Sequence, residues 1–295
     1  MKSPVTGVIK DNYQLMPGQM KVVARWLLDH PTEVALLSMR EQARRAGVSP
    51  ATFTRLAQRL GFDGFDRLKE KFADTIRERP ESFAGRVEEL LARCEAEGDA
   101  ALIGDTIDAL NGHLSDLANP STIAALAAAA DVMVEARNIF CLGLRSSFPA
   151  AYLVHYVGSM LGLPTVLIEG VGGTPNDALR SVGPREVLLA VTVSPYTRYT
   201  VRAAEFAVSR GAKLVALTDS ELSPICQLAA VLIRVRTETP SFFDTMTPSF
   251  AAAECLVELI AAKRGSRALE ALAANEAHLV AFDNHVLQKS HRREL

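Results

Sequence analysis

The chain has 295 residues, 48% of them hydrophobic, and a formal net charge of −2, values that exclude a disordered polyelectrolyte and allow two domains. No run approaches the roughly 18 apolar residues that span a bilayer, and "MKSPVTGVIKDNY" has no apolar stretch with a cleavage site, so a cytoplasmic protein without membrane attachment is expected. The near-neutral total conceals a split: residues 1–80 hold 14 Lys and Arg against 9 Asp and Glu, whereas the remainder holds 18 against 25.

A basic amino-terminal section suits a polyanionic partner, though an excess of five is modest. Cys94, Cys141, Cys226 and Cys255 are far apart and form no Cys-x-x-Cys pair. Buried thiols in a reducing compartment are expected, with Cys141 and Cys226 in apolar surroundings, and neither a metal site nor a cofactor is predicted.

The first elements are helical. Met20, Val23, Ala24, Trp26 and Leu27 recur at helical spacing, and Pro31 lies just beyond them. "SMREQARRAG" predicts a short helix capped by Ser38 and stopped by Gly47. "SPATFTRLAQRLG" predicts another, with Ser49 as its cap and Pro50 in the first turn, where a missing N–H costs nothing. Two short helices joined by a glycine turn match a helix-turn-helix. Ala43, Ala46 and Val48 would fill the angle between them, and Phe53, Leu56 and Leu60 would face inward. The opposite side is expected to expose Thr52, Arg55, Gln58 and Arg59. Arginine can grip a guanine edge at two points and glutamine an adenine edge, while Ser49, Pro50 and the helix start sit near phosphate. A helical hairpin with a solvated polar side is the competing reading.

Residues 78–121 read as a charged helical linker interrupted at Pro80, Gly98 and Pro120. "STIAALAAAADVMVEA", capped by Ser121, opens the next domain. The rhythm then changes to apolar strands, "NIFCLG", "PTVLIE", "EVLLAVTV", "KLVALTD" and "VLIRVRT", separated by helices that include "PNDALRSVG" and "SPICQLAA". Uniformly apolar strands alternating with helices predict a parallel sheet covered on both faces. The first and third strands end in "LRSS" and "SPYTRYT". In a 2-1-3-4-5 order those turns meet at the switch point, beyond the strand ends, where ligands bind. Ser146 and Ser147 on one turn and Thr192, Ser194, Thr197 and Thr200 on the other could serve an anion there, or could simply cap their helices.

These segments resemble a known family. "LSMREQARRAGVSPATFTRLAQRLGFDGFDRLKEKF" is similar to the DNA-binding domain of the RpiR/MurR regulators. Val48, Ser49, Ala51, Thr52 and Arg55 match its VS-x-AT-x-x-R helix, and Leu60, Gly61, Phe62, Gly64, Phe65, Leu68 and Lys69 match its LGF-x-GF run and LK pair. Residues 122–265 resemble the SIS (sugar isomerase) domain. The resemblance implies an all-α helix-turn-helix domain over residues 1–77, then an α/β three-layer SIS domain with a five-stranded parallel, flavodoxin-like sheet, and a terminal helix over 266–295. It also implies a homodimer or homotetramer that binds a double-stranded operator.

The family's ligand loops, G-x-G-x-S and S-x-S-G-x-T, fall on Gly143–Ser147 and Thr192–Thr197. By that resemblance Ser147, Thr192, Ser194 and Thr197 bind effector, a phosphosugar by default. Arg145 and Pro195 stand where glycines are expected. Proline deletes a backbone donor, and Arg145 can return charge through a forked contact, so a carboxylate or an uncharged polyol stays open. Glu238 and Ser241, after the last strand, could close one side. Gly170, Gly172 and Gly173 could line the pocket, although Thr174, Pro175 and Asp177 suit a plain helix start. An isomerase is the alternative to a sensor, and a purely structural oligomerisation module is a third reading. His155, Glu169, Glu205 and Glu238 are the available bases, but no pair has catalytic spacing, so no enzyme is expected.

Overall fold

The computed structural model describes residues 5–30, 33–34, 37–78, 83–170 and 175–282. The chain divides into two units. One comprises residues 1–111 with two excursions, Ser220–Leu222 and Glu238–Thr245; the other comprises Gly112–Asp219, Ser223–Thr237 and the carboxyl-terminal part.

The first unit is helical: α1 (Val5–Asn12), α2 (Gly18–Asp29), α3 (Met39–Ala46), α4 (Pro50–Arg59), α5 (Phe65–Glu78), α6 (Phe83–Glu97) and α7 (Asp99–Leu117), the last running on into the second unit. Val23, Leu27, Ala43, Phe53, Leu56, Ala57, Leu68 and Phe72 form one apolar cluster. Phe53 sits at its centre, edge-on to Trp26 at 6.1 Å and to Phe65 at 5.2 Å. Leu60 is only partly buried at its margin. Ser38 caps α3 as expected, accepting from the Glu41 amide at 3.3 Å. Gly47 ends α3 with φ of +68°, a conformation that costs glycine no Cβ clash.

Gln42 is fully buried, a core position that its polarity conceals in the sequence. Its amide donates to the carbonyls of Val34 at 3.0 Å and Leu37 at 2.9 Å, tying α3 to the segment before it. Gln42→Met keeps the volume and takes the side-chain donor from the Val34 carbonyl, while Leu37 keeps the Lys69 ammonium at 2.8 Å, so it should destabilise this unit by about 1–3 kcal/mol, read as an earlier urea midpoint.

The second unit carries α8 (Pro120–Val134), β1 (Asn138–Gly143), α9 (Phe148–Met160), β2 (Thr165–Leu167), β3 (Glu186–Val191), α10 (Arg198–Ser209), β4 (Lys213–Thr218), β5 (Val231–Arg234), α11 (Thr247–Arg264) and α12 (Ser266–Ala281). All strand pairs are parallel and the order is β2-β1-β3-β4-β5, the expected flavodoxin-like sheet. Alternate side chains feed two cores. Ile139, Cys141, Leu189 and Leu217 pack under α8, α9 and α11, and Phe140, Leu142, Leu188 and Ala216 pack under α10.

Several local expectations are corrected. Ser121 is not the cap of α8: Asn119 is, accepting from the Thr122 amide at 2.9 Å, and Pro120 takes the first turn. "PNDALRSVG" and "SPICQLAA" contain 3₁₀ turns, Pro175–Ser181 and Cys226–Leu228, in place of α-helices. All four cysteines are free, but only Cys141 is buried, and burial pushes its thiol up to about 12; Cys226 is half-buried. Among the described residues no single helix is long and apolar enough to cross a membrane.

Candidate nucleic-acid interface and effector crevice

In the first unit, Pro50, Arg55, Gln58 and Arg59 are exposed on α4, and Ser49 is exposed just before it. Thr52 is not: it is 3% exposed, because it lies one helical turn before Leu56 and so shares the inward side. Its hydroxyl pairs with that of Ser49 at 3.0 Å and receives Arg55 at 3.4 Å. Ser49 holds the N-cap position without a side-chain bond to the helix backbone. Thr52 therefore holds the Arg55 guanidinium from beneath and is not part of the outer face, whereas Ser49 is. Arg59 donates to the Leu15 carbonyl at 2.7 Å, which anchors it to the preceding helices. A groove opens beside α4, lined by Pro17, Gly18, Gln19, Met20, Thr52 and Arg55.

Charge is unevenly available on this surface. Arg44 and Arg45 are held by Glu41, and Arg45 also by Glu33. The two guanidiniums keep the Glu41 carboxyl well below the usual range, at about 2. Arg67 pairs with Glu70. Arg40, on the first turn of α3, is exposed and meets no acidic partner among the described residues. It is absent from the residues that the sequence singles out; an arginine two places after the Ser38 cap is the signal that could have found it.

In the second unit, β1 and β3 end side by side, Gly143 opposite Val191. The turns beyond them are thus neighbours at the switch point. A Cβ on Gly143 would lie 2.5 Å from the Ser147 carbonyl oxygen, so only glycine lets the turn fold back this tightly. Arg145 has φ of +56°, the sole non-glycine in the left-handed region among the described residues. It adopts the backbone that a glycine would supply, at a cost of about 1–2 kcal/mol, and has no ion-pair partner among those residues. Ser147 is 4% exposed and Thr192 2%, whereas Arg145 and Ser194 are open to solvent and Ser146 and Thr197 intermediate.

Ser147 and Thr197 occupy the N-cap positions of α9 and α10, yet neither side chain makes a cap bond. Thr200, in the first turn of α10, has a fully buried hydroxyl with no partner among the described residues. The Tyr199 hydroxyl is also buried and unpartnered among them, and burial pushes it up. At the end of β4, Thr218 donates to Asp219 at 3.3 Å. "LTDS" thus carries the same apolar-then-hydroxyl signature as the other two strand ends, although the sequence pattern marks it only as the close of a strand.

Glu238 belongs to an excursion grouped with the first unit, and Gly172, Gly173 and Thr174 lie outside the described residues. His155 is half-buried on α9; burial holds it below its ordinary value, with Glu169 opposing. Glu169 and Glu205 are exposed. No cluster of three potential metal ligands occurs among the described residues.

Family profiles match both units: residues 5–79 fit the helix-turn-helix domain of the rpiR family, and residues 132–259 fit the SIS domain. The chain belongs to the RpiR family. Relatives include an uncharacterized HTH-type transcriptional regulator of Caldanaerobacter subterraneus, 26% identical over 81% of this chain and 82% of its own. Another such regulator, from Escherichia coli, is 23% identical over 75% and 78%. A bifunctional protein glk of Burkholderia thailandensis is 27% identical over 74% of this chain, which spans only 33% of that protein. The sugar isomerase domain of an RpiR transcription factor from Sphaerobacter thermophilus superposes with a TM-score of 0.54 at 25% identity, over 60% of this chain and 97% of that one. Vibrio vulnificus NanR, solved in complex with ManNAc-6P, shares the fold at a TM-score of 0.53 and 18% identity, over 94% and 98% of the two chains.

Proposed function

We propose that this RpiR-family DNA-binding regulator is a sensor whose SIS domain binds a phosphosugar or a related sugar anion, and that effector occupancy changes its hold on an operator. The observation that carries the reading is the pair of helix starts at the β1/β3 switch point: the Ser147 and Thr197 side chains make no cap bond, and the left-handed Arg145 stands beside Ser147 with no ion-pair partner among the described residues. Uncommitted hydroxyls at a helix start and a nearby cation suit an anion. Ser146, Thr192 and Ser194 complete the set, with Glu238 as a further candidate. The solved NanR complex makes a phosphorylated sugar the first class to try.

A non-catalytic role is supported by the relatives that are named as transcriptional regulators and by His155, Glu169 and Glu205, which make no hydrogen bond or ion pair with one another among the described residues. A thermal-shift screen with phosphosugars, sugar acids and inositols tests the sensor reading, and turnover of those compounds would replace it with an enzyme. Intracellular DNA is the partner, and paired reading heads in a homo-oligomer are needed because one head covers a short site.

On the DNA side, Arg55 and Gln58 are assigned to base edges, and Ser49, Pro50, Arg59 and Arg40 to the phosphate backbone. Arg40→Ala should weaken all duplexes alike and lower the slope of log affinity against log salt by about 1. A sequence-selective loss would move Arg40 to the base-reading set.

A further inference from the structure

Three helices cover one face of the sheet in the second unit, and their far ends are pinned together. Lys263, near the close of α11, meets Asp131, near the close of α8, at 2.5 Å. Arg264, the last residue of α11, donates to the Gly162 carbonyl just past α9 at 3.2 Å. The three therefore run side by side in one direction. Since α9 leaves the carboxyl end of β1, all three begin at the carboxyl edge of the sheet. The middle helix is α11: it packs against both α8 and α9, while α8 lies along β5 and α9 along β1 and β2. Its first turn thus stands over the ends of β3 and β4, next to the start of α9. Ser249 precedes Arg264 by fifteen residues, as Ser147 precedes Gly162, so the two serines lie level to within about a helical turn.

Ser249 is fully buried, on an inward stripe that it shares with Ala252, Ala253 and Leu256. Its hydroxyl bonds nothing among the described residues. A helical serine can return its hydroxyl to the carbonyl one turn back, and a buried polar group left unpaired is destabilising. Alanine would fill the same space without that penalty and with better helix propensity. Met246, at the cap position of α11, makes no side-chain cap bond either. An 18-residue helix thus presents its positive end at the carboxyl edge of the sheet, beside a hydroxyl that the chain itself does not use. We propose that Ser249 is a further effector-binding residue, donating to the same oxyanion that Ser147 meets from α9. The inference rests on the sensor reading and deepens it, because an anion set against two parallel helix starts on one face is better matched by a dianionic phosphate than by a singly charged carboxylate.

The test uses the full chain, Ser249→Ala and, as a reference, Ser147→Ala. The probes are glucose 6-phosphate, N-acetylmannosamine 6-phosphate and glucuronate, which carries a carboxylate where glucose 6-phosphate carries its phosphate ester. Titration calorimetry gives each affinity, and thermal denaturation without probe gives stability. In the unaltered chain a phosphosugar should bind more tightly than glucuronate. Ser249→Ala should weaken that phosphosugar by about 10- to 150-fold, the range for a hydrogen bond to a charged group. The same variant should melt, without probe, at an unchanged or higher temperature. Affinity within about twofold of the unaltered chain overturns the assignment. A lower melting temperature does so too, because it marks the hydroxyl as a structural donor. Glucuronate binding more tightly than either phosphosugar overturns the phosphate preference. If the unaltered chain binds none of the probes, the sensor reading fails and takes Ser249 with it. If Ser147→Ala loses binding and Ser249→Ala does not, the sensor reading stands and the role of Ser249 alone falls.

Discussion

Arg55→Ala should lower affinity for the operator by about 5- to 150-fold, the range set by the 1–3 kcal/mol of a forked arginine–guanine contact, while leaving binding to unrelated duplex within about threefold. The contrast between the two duplexes is the informative quantity. Arg55 is exposed on α4, and its guanidinium donates to the buried Thr52 hydroxyl, which also pairs with Ser49. A side chain positioned in this way reaches a base edge with less ordering to be done on binding. Arg55→Lys keeps the charge but loses the planar fork, so it should recover general affinity and not discrimination. Competition titrations by fluorescence anisotropy at two salt concentrations separate the contributions. Equal loss on operator and unrelated duplex would reassign Arg55 to phosphate. Retained discrimination in the alanine variant would remove α4 as the reading helix. Neither outcome disturbs the packing beneath, since Phe53, Leu56 and Ala57 face away from the substitution.

The parts of this molecule that are legible in the sequence are those where one local signal has one physical meaning. Strands buried on both faces must be apolar throughout, so "EVLLAVTV" and "KLVALTD" announce themselves, and the switch-point turns come from strand order. Thr52 is misplaced by its sequence because a hydroxyl reads as polar, whereas here a neighbouring hydroxyl allows it to be buried. Asn119 and Ser121 both fit a cap; Pro120 decides in favour of Asn119, since proline suits the first helical turn. The left-handed backbone of Arg145 can be suspected only from the glycine expected in its place. The Arg86–Asp244 ion pair is beyond local inspection altogether. Arg86 and Asp244 are 158 positions apart, and neither side chain carries any sign of its partner. The uncapped state of Ser147 and Thr197, which favours ligand over simple capping, is likewise a property of geometry and not of residue type.

Gly143→Ala should abolish the effector-induced thermal shift and lower the melting temperature by about 2–12 °C. Its added carbon would sit 2.5 Å from the Ser147 carbonyl oxygen and 2.9 Å from the Ala151 Cβ, and neither atom can swing aside as the end of a long side chain would. Relief requires the first turn of α9 to retreat from β1, and Arg145, Ser146 and Ser147 move with it. Overpacking of this kind costs about 1–3 kcal/mol, and 1 kcal/mol corresponds to about 2–4 °C in a domain of this size. Loss of binding is expected to exceed what the stability change explains, because the displaced turn faces Thr192 and Ser194 across the crevice mouth. Gly104→Ala, within α7, is the control: nothing lies within 4 Å of its added carbon among the described residues and its backbone is not left-handed, so stability should not fall and the thermal shift should be unchanged. Operator binding without effector should persist in Gly143→Ala, since the cluster around Phe53 contains no residue of this turn. A Gly143→Ala protein that melts early yet still shows the full thermal shift would move the effector away from the β1 turn and leave the β3 turn to hold it alone.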